Sequence, residues 1–123
     1  MGEAAVIEVD FEFSIYVSLT LIKPGQNLDS YFLMHLLNSH PYKQRANEQV
    51  YLGSGVGNLN VDVVRTYPII LPAKEEQQAI ATVLSDMDAE IAALENRLAK
   101  TQALKQGMMQ ALLTGKVRLK IEA

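Results

Sequence analysis

A heptad pattern of apolar residues in the second half of the chain is the feature that most constrains the fold. Its members follow one another in alternating steps of four and three residues, and they are Ile80, Leu84, Met87, Ile91, Leu94, Leu98 and, in the same register, Met108 and Leu112. This spacing places them on one side of an α-helix, where they favour pairing with another helix. Thr101 and Lys105 interrupt the pattern, so we expect the apolar stripe to weaken there.

The residues that flank this pattern predict where the helix begins and ends. Pro72 suits the approach to a helix, and Glu75 and Glu76 suit its positive N-terminal end. Gly115 is a suitable C-terminal stop. A helix over residues 74–113 would be about 60 Å long, so much of its stripe needs another helix to cover it.

Composition divides the chain of 123 residues near Pro72. The eight aromatic residues all lie at or before Tyr67, whereas the later part is rich in Ala, Leu, Glu, Gln and Lys. The change predicts a mixed globular part over residues 1–72 and a long helix with a short tail over residues 73–123.

The first part predicts both strands and helices. Apolar residues occupy every odd position of residues 7–21, which is the alternation of a strand with one buried face. Further strands are predicted at 50–52 and 66–71, a helix at 29–38 with Asp29 as its cap and Pro41 closing it, and a helical turn at 61–65. The predicted fold class is therefore α+β, a small mixed α/β unit followed by one long helix.

Composition also limits the chemistry. Cysteine is absent, the net charge is −3, and no apolar run is long enough to cross a membrane, so we expect a soluble, cytoplasmic protein without disulfides. His35 and His40 lie five residues apart, a poor spacing for a metal site. We expect no catalytic residue, no metal and no cofactor.

A glycine-rich segment at residues 53–57 has two interpretations. It lacks the Gly-Lys-Ser/Thr of a P-loop, which argues against an enzyme that binds a nucleotide. Glycine does let a backbone approach DNA, and asparagine can pair with adenine. With the basic residues just upstream, the candidate DNA contacts are Lys43, Arg45, Ser54, Gly55, Asn58 and Asn60.

From about residue 58 to residue 119 the chain resembles the C-terminal region of specificity subunits of type I restriction–modification enzymes. The blocks that carry the resemblance are Asn58-Leu59-Asn60-Val61, Pro68-Ile69-Ile70-Leu71-Pro72, Glu76-Gln77-Gln78-Ala79-Ile80-Ala81, Leu84-Ser85-Asp86-Met87-Asp88, Ile91-Ala92-Ala93-Leu94-Glu95, Leu104-Lys105-Gln106-Gly107-Met108-Met109-Gln110 and Leu112-Leu113-Thr114-Gly115-Lys116. Residues 18–24 and 31–39 resemble, less specifically, the later half of a target-recognition domain.

The resemblance implies a non-catalytic role. In this family, target-recognition domains each bind half of a split DNA sequence, and two long antiparallel helices separate them. Methyltransferase subunits dock there, and the restriction subunit completes the enzyme. The resemblance therefore implies that residues 1–72 are part of a target-recognition domain and residues 73–123 a spacer helix, with DNA and these subunits as partners.

The charges of the predicted helix indicate how it would pair. Between residues 75 and 95 all the charged side chains are acidic, and between 97 and 120 all are basic. Two copies would therefore pair antiparallel, crossing near residues 95–98, so that each acidic half meets a basic half. The alternative hypothesis is a coiled-coil oligomerisation module without DNA binding of its own.

Overall fold

The computed structural model describes residues 2–51 and 59–122, and the side chains of residues 50 and 51 are outside that description. Four helices follow one another along the chain: α1 (Ser30–Asn38), α2 (His40–Tyr51), α3 (Val61–Arg65) and α4 (Lys74–Leu113). Over these described ranges no residue lies in a β-strand.

The short helices begin where their polar caps place them. The Asp29 side chain accepts hydrogen bonds from the backbone N–H groups of Tyr31 and Phe32, as the predicted cap should. Asn60 caps α3 by accepting from the N–H of Asp62, and α3 coincides with the helical turn predicted at 61–65.

Pro41 begins a helix, contrary to the prediction that it closes one. It lies in the first turn of α2, where its missing N–H costs no intrahelical hydrogen bond. The helix then continues through residues 50 and 51, so the strand predicted at 50–52 is wrong there, and residue 52 lies outside the described residues.

The predicted α+β class is wrong, because the predicted strands at 7–21 and 66–71 are not formed. A strand needs a second backbone to complete its hydrogen bonds. No such partner lies beside residues 7–21, and most of their apolar side chains are exposed. Only Ala4, just before them, has both backbone groups bonded, and its partner is the Asn38 side chain.

The N-terminal residues lie against α1 and α2 through four contacts. Gly2 has a φ of +83°, and a Cβ there would lie 2.9 Å from the Cβ of Ala46, so this position requires glycine. The contacts of Glu3 with Lys43, of Ala4 with Asn38 and of Glu8 with Tyr31 follow in order. The Glu8 carboxylate, as hydrogen-bond acceptor, raises the pKa of the Tyr31 hydroxyl.

Helix α4 has the bounds that the sequence predicts. Glu75 and Glu76 lie in its first turn, and Gly115, with a φ of +73°, follows its last turn. The N–H of Gly115 donates to the carbonyl of Leu112, and that of Val117 donates to the carbonyl of Ala111. These bonds satisfy terminal carbonyls of the helix.

By compactness the chain divides into two units, Met1–Ser85 and Asp86–Ala123. The first unit holds the buried side chains, which are Phe32, Leu33, Ala46, Tyr67, Gln77 and Ala81. The second unit consists of the later part of α4 and the residues that follow it.

Gln77 is the one polar residue among the buried side chains that the structure describes, and its solvent exposure is 0%. Its Oε1 accepts from the N–H of Asp29 at 2.9 Å. Its Nε2 donates to the carbonyls of Asn27 and Pro72 at 3.0 and 2.9 Å. The amide thereby joins the start of α4 to the cap of α1.

Gln77→Ala should lower the free energy of unfolding of the first unit by about 2–4 kcal/mol, because it leaves three backbone groups without their partner. Gln77→Glu should fail to rescue, since a carboxylate can accept from Asp29 but cannot donate to the two carbonyls. Urea unfolding followed by tyrosine fluorescence measures this, because every tyrosine lies at or before Tyr67.

Gln78→Ala is the matched control, because Gln78 is the exposed neighbour of Gln77. It should change the free energy of unfolding by less than about 0.5 kcal/mol. Equal destabilisation by the two alanine variants would contradict the anchoring role of Gln77.

Candidate functional site

The apolar stripe of α4 is exposed along most of its length. Met87, Ile91, Leu94 and Leu98 are between 52% and 58% exposed, and Met108 is 50% exposed. Leu84 is exposed too, whereas the end members Ile80 and Leu112 are half-buried. A contiguous row of large apolar side chains on one helix face is typical of a protein–protein interface.

A different face of α4 packs within the first unit. Lys74, Gln77, Ala81 and Ser85 follow helical spacing and are buried or half-buried. At 3.6 residues per turn, this face lies about 100° around the helix from the stripe. Docking of the first turns therefore leaves the stripe available to a partner.

Polar contacts reinforce this docking face at both of its ends. At one end the Lys74 Nζ donates to the carbonyl of Gln26 at 2.5 Å. At the other end the His35 Nε2 lies 3.0 Å from the Ser85 Oγ. His35 thus joins α1 to α4, a structural role consistent with the poor metal spacing of the two histidines.

The apolar surface widens toward the end of α4. Leu104 and Met109 are exposed beside the stripe residues Met108 and Leu112, and together they line a shallow apolar groove with Thr101, Lys105 and Leu113. The polar interruption at Thr101 and Lys105 thus borders an apolar surface. The second unit therefore offers an apolar area wider than one heptad stripe.

Arg45 lies in an aromatic cluster of the first unit. Its guanidinium is 5.8 Å from the ring centroid of Tyr67, whose ring centroid is 5.9 Å from that of Tyr42. Burial raises the pKa of the Tyr67 hydroxyl, and the charge of Arg45 opposes that rise. Arg45, Tyr42, Pro41 and Pro68 line a small cleft in which the guanidinium can meet an anion or a base.

The other candidate DNA contacts have more restricted settings. The Lys43 Nζ is 2.6 Å from a carboxylate oxygen of Glu3, and the bond lowers the pKa of Glu3. Asn60 uses its side-chain oxygen to cap α3. Ser54, Gly55 and Asn58, with the glycine-rich segment, lie outside the described residues.

Gln77 is the residue that sequence reasoning missed. A glutamine in the first turn of a helix is ordinarily a solvated residue, and the sequence analysis assigned no contact to it. Only its complete burial and its bonds to Asp29, Asn27 and Pro72 disclose its role. No pattern in a single sequence distinguishes it from its exposed neighbour Gln78.

Two further searches of the described ranges gave no site. No group of histidine, aspartate and glutamate side chains there could hold a metal ion. None of the described helices, α4 included, combines the length and apolar character that spanning a membrane requires.

Comparison with known proteins identifies a family. The family model described as "Type I restriction modification DNA specificity domain" matches residues 1–106. No solved structure matches the chain significantly.

Two curated relatives come from Methanocaldococcus jannaschii. The chain is 29% identical over 116 residues to the putative type I restriction enzyme MjaX specificity subunit, covering 93% of the chain and 27% of the relative. It is 30% identical over 96 residues to the type I restriction enzyme MjaVIII specificity subunit, covering 78% and 22%. The chain thus spans about a quarter of the length of these relatives.

Proposed function

Because this chain belongs to the family of type I restriction–modification DNA specificity domains, we propose that it acts as a non-catalytic DNA-targeting and assembly element. Residues 1–72 contribute to DNA recognition, and residues 73–123 form the helix through which the complex assembles. The observation that carries the proposal is the exposed stripe of α4, which lies within the matched family region up to residue 106.

The partner of the stripe is the corresponding helix of a second copy, running antiparallel. The acidic side chains of α4 lie in its first half and the basic ones in its second half. A parallel pair would set like charges side by side, whereas an antiparallel pair sets opposite charges together. Each exposed pair contributes only about 0.2–1 kcal/mol, but the choice of direction compares attraction with repulsion at many positions.

The heptad register supports a crossing near residues 95–98. If Leu94 packs on Leu98 of the second copy, Leu84 faces Met108 and Ile80 faces Leu112 in the same register. Three successive kinds of layer are then apolar on both sides. Thr101 and Lys105, which interrupt the stripe, face Ile91 and Met87 in the intervening layers.

The complete assembly includes DNA and the other subunits of a cytoplasmic restriction–modification system. Methyltransferase subunits dock on the paired helices, and the restriction subunit joins the resulting complex. Lys43, Arg45, Ser54, Gly55, Asn58 and Asn60 remain the candidate DNA contacts. Of the two cations, Arg45 is better placed, since Lys43 would have to exchange Glu3 for a phosphate.

Leu94→Asp should weaken self-association at least about 100-fold, because each chain would bring an unpaired charge into the seam at a cost of about 3 kcal/mol or more. Sedimentation equilibrium over a concentration series measures the dissociation constant.

Ala93→Asp is the control, since it adds the same charge next to the seam residue but on the opposite side of α4, where Ala93 is exposed. It should leave the dissociation constant within about threefold, a difference worth less than 1 kcal/mol. A wild-type chain that stays monomeric at high concentration, or equal effects of the two variants, would refute helix pairing through the stripe.

DNA binding by the chain alone should be weak and salt-dependent. Residues 1–72 carry four basic against seven acidic side chains, so few phosphates can be neutralised. We expect retention of mixed-sequence duplex at low salt and none at physiological salt, and Arg45→Ala should lower the salt slope by about 1. Fluorescence anisotropy with labelled duplex measures both.

Arg65→Ala is the matched control, because Arg65 is exposed and lies beside Asp62 at 3.5 Å, away from the aromatic cluster. It should leave the salt slope unchanged. Submicromolar binding at physiological salt would contradict the expected weakness, and equal effects of the two variants would contradict the role of Arg45. Absence of binding at every salt concentration would favour the alternative, an oligomerisation module without DNA binding.

A further inference from the structure

The residues after α4 form a short amphipathic segment with no use in the helix pair. Apolar side chains alternate with basic ones over residues 116–121, here called the basic tail. Val117, Leu119 and Ile121 are 52%, 73% and 90% exposed. Within the described residues, the backbone of residues 118–122 makes no hydrogen bond. The tail therefore presents apolar, cationic and backbone groups at once.

A second amphipathic segment lies near the N-terminus and carries the opposite charge. Apolar side chains alternate with Glu8, Asp10 and Glu12 over residues 7–13, here called the acidic segment. Its apolar side chains are between 45% and 65% exposed. The backbone of residues 5–15 makes no hydrogen bond to any other described residue.

The two segments complement each other in period and in charge. Both have a repeat of two residues, and each has three charges of one sign spaced by that repeat. Side by side, they would bring opposite charges together across the pair and join backbone groups that each segment leaves unbonded. Whichever direction they run, Asp10 and Arg118 lie at the centre of the matched stretch.

We propose that the basic tail of one copy pairs, backbone to backbone, with the acidic segment of a second copy. This inference rests on the antiparallel helix pair proposed above. It leaves the helices of each copy as described and straightens the bend now present at Asp10 and Phe11. The dimer would thus have a central helix seam and two outer contacts.

The contacts within the first unit place the acidic segment near the start of α4. The Glu8 carboxylate accepts from the Tyr31 hydroxyl, the N–H of Tyr31 donates to Asp29, and the N–H of Asp29 donates to Gln77. Three successive hydrogen bonds therefore connect the segment to the first turn of α4.

The antiparallel register brings the partner's tail to the same end. With Ile80 facing Leu112 of the second copy, the last residue of that helix lies opposite the first turns of this one. The tail of the second copy leaves its helix at Gly115, beside the unit that carries the acidic segment. Each copy would contribute one tail and receive one.

A charge-swap cycle tests the pairing in the full chain. One variant reverses two acids (Asp10→Lys with Glu12→Lys), a second reverses two bases (Arg118→Glu with Lys120→Glu), and a third combines all four substitutions. Each two-site variant should raise the dissociation constant of the dimer at least about tenfold. The combined variant should return it to within about threefold of the wild type. Sedimentation equilibrium at low salt measures all four proteins.

Net charge and misfolding predict other results. The acid reversal brings the net charge of −3 nearer to zero, so general repulsion alone would tighten the dimer instead of weakening it. Misfolding would not be rescued by the combined variant. Absence of rescue, or a two-site variant as tight as the wild type, overturns the proposal.

The outcomes separate this inference from the helix pairing on which it rests. If the wild-type chain is monomeric, helix pairing fails and this inference fails with it. If the wild type dimerises, Leu94→Asp separates it and the charge reversals have no effect, only the pairing of tail and segment is overturned. Truncation after Gly115 should match the base reversal, with a weakened dimer that still forms.

Discussion

The buried amide of Gln77 is the interaction on which the arrangement of this chain depends. Its three hydrogen bonds join the first turn of α4 to the cap of α1 and to the residue that precedes the helix. They also determine which face of α4 the first unit uses. Because that face lies about 100° from the heptad stripe, the stripe remains exposed and requires a partner. One internal contact thus accounts for the surface to which we assign assembly.

The helices could be predicted from the sequence because their determinants are local. The heptad spacing and Gly115 predict α4, and Asp29 predicts the start of α1. The strand at residues 7–21 could not be judged in this way, because alternation specifies a face but not the second backbone that a strand needs. Pro41 was ambiguous for a related reason, since proline is accepted equally after one helix and in the first turn of the next.

The candidate site shows the same division. The spacing of the stripe residues predicted their common face, and the structure shows that face exposed. Long-range contacts were beyond sequence reasoning: Glu3 meets Lys43 from a distance of 40 positions, and Arg45 lies over Tyr67. These contacts decide which cation is available to DNA. The family comparison supplies what neither local pattern nor geometry contains, the connection with restriction–modification.

The direction of helix pairing is the central claim, and disulfide formation between two introduced cysteines tests it most directly, since we find no native free cysteine among the described residues. Leu84 and Met108 are about 36 Å apart along one helix. A mixture of Leu84→Cys and Met108→Cys chains should give the covalent heterodimer upon mild oxidation, and neither variant alone should cross-link. Efficient cross-linking of Leu84→Cys with itself, without the heterodimer, would show a parallel pair and contradict the account.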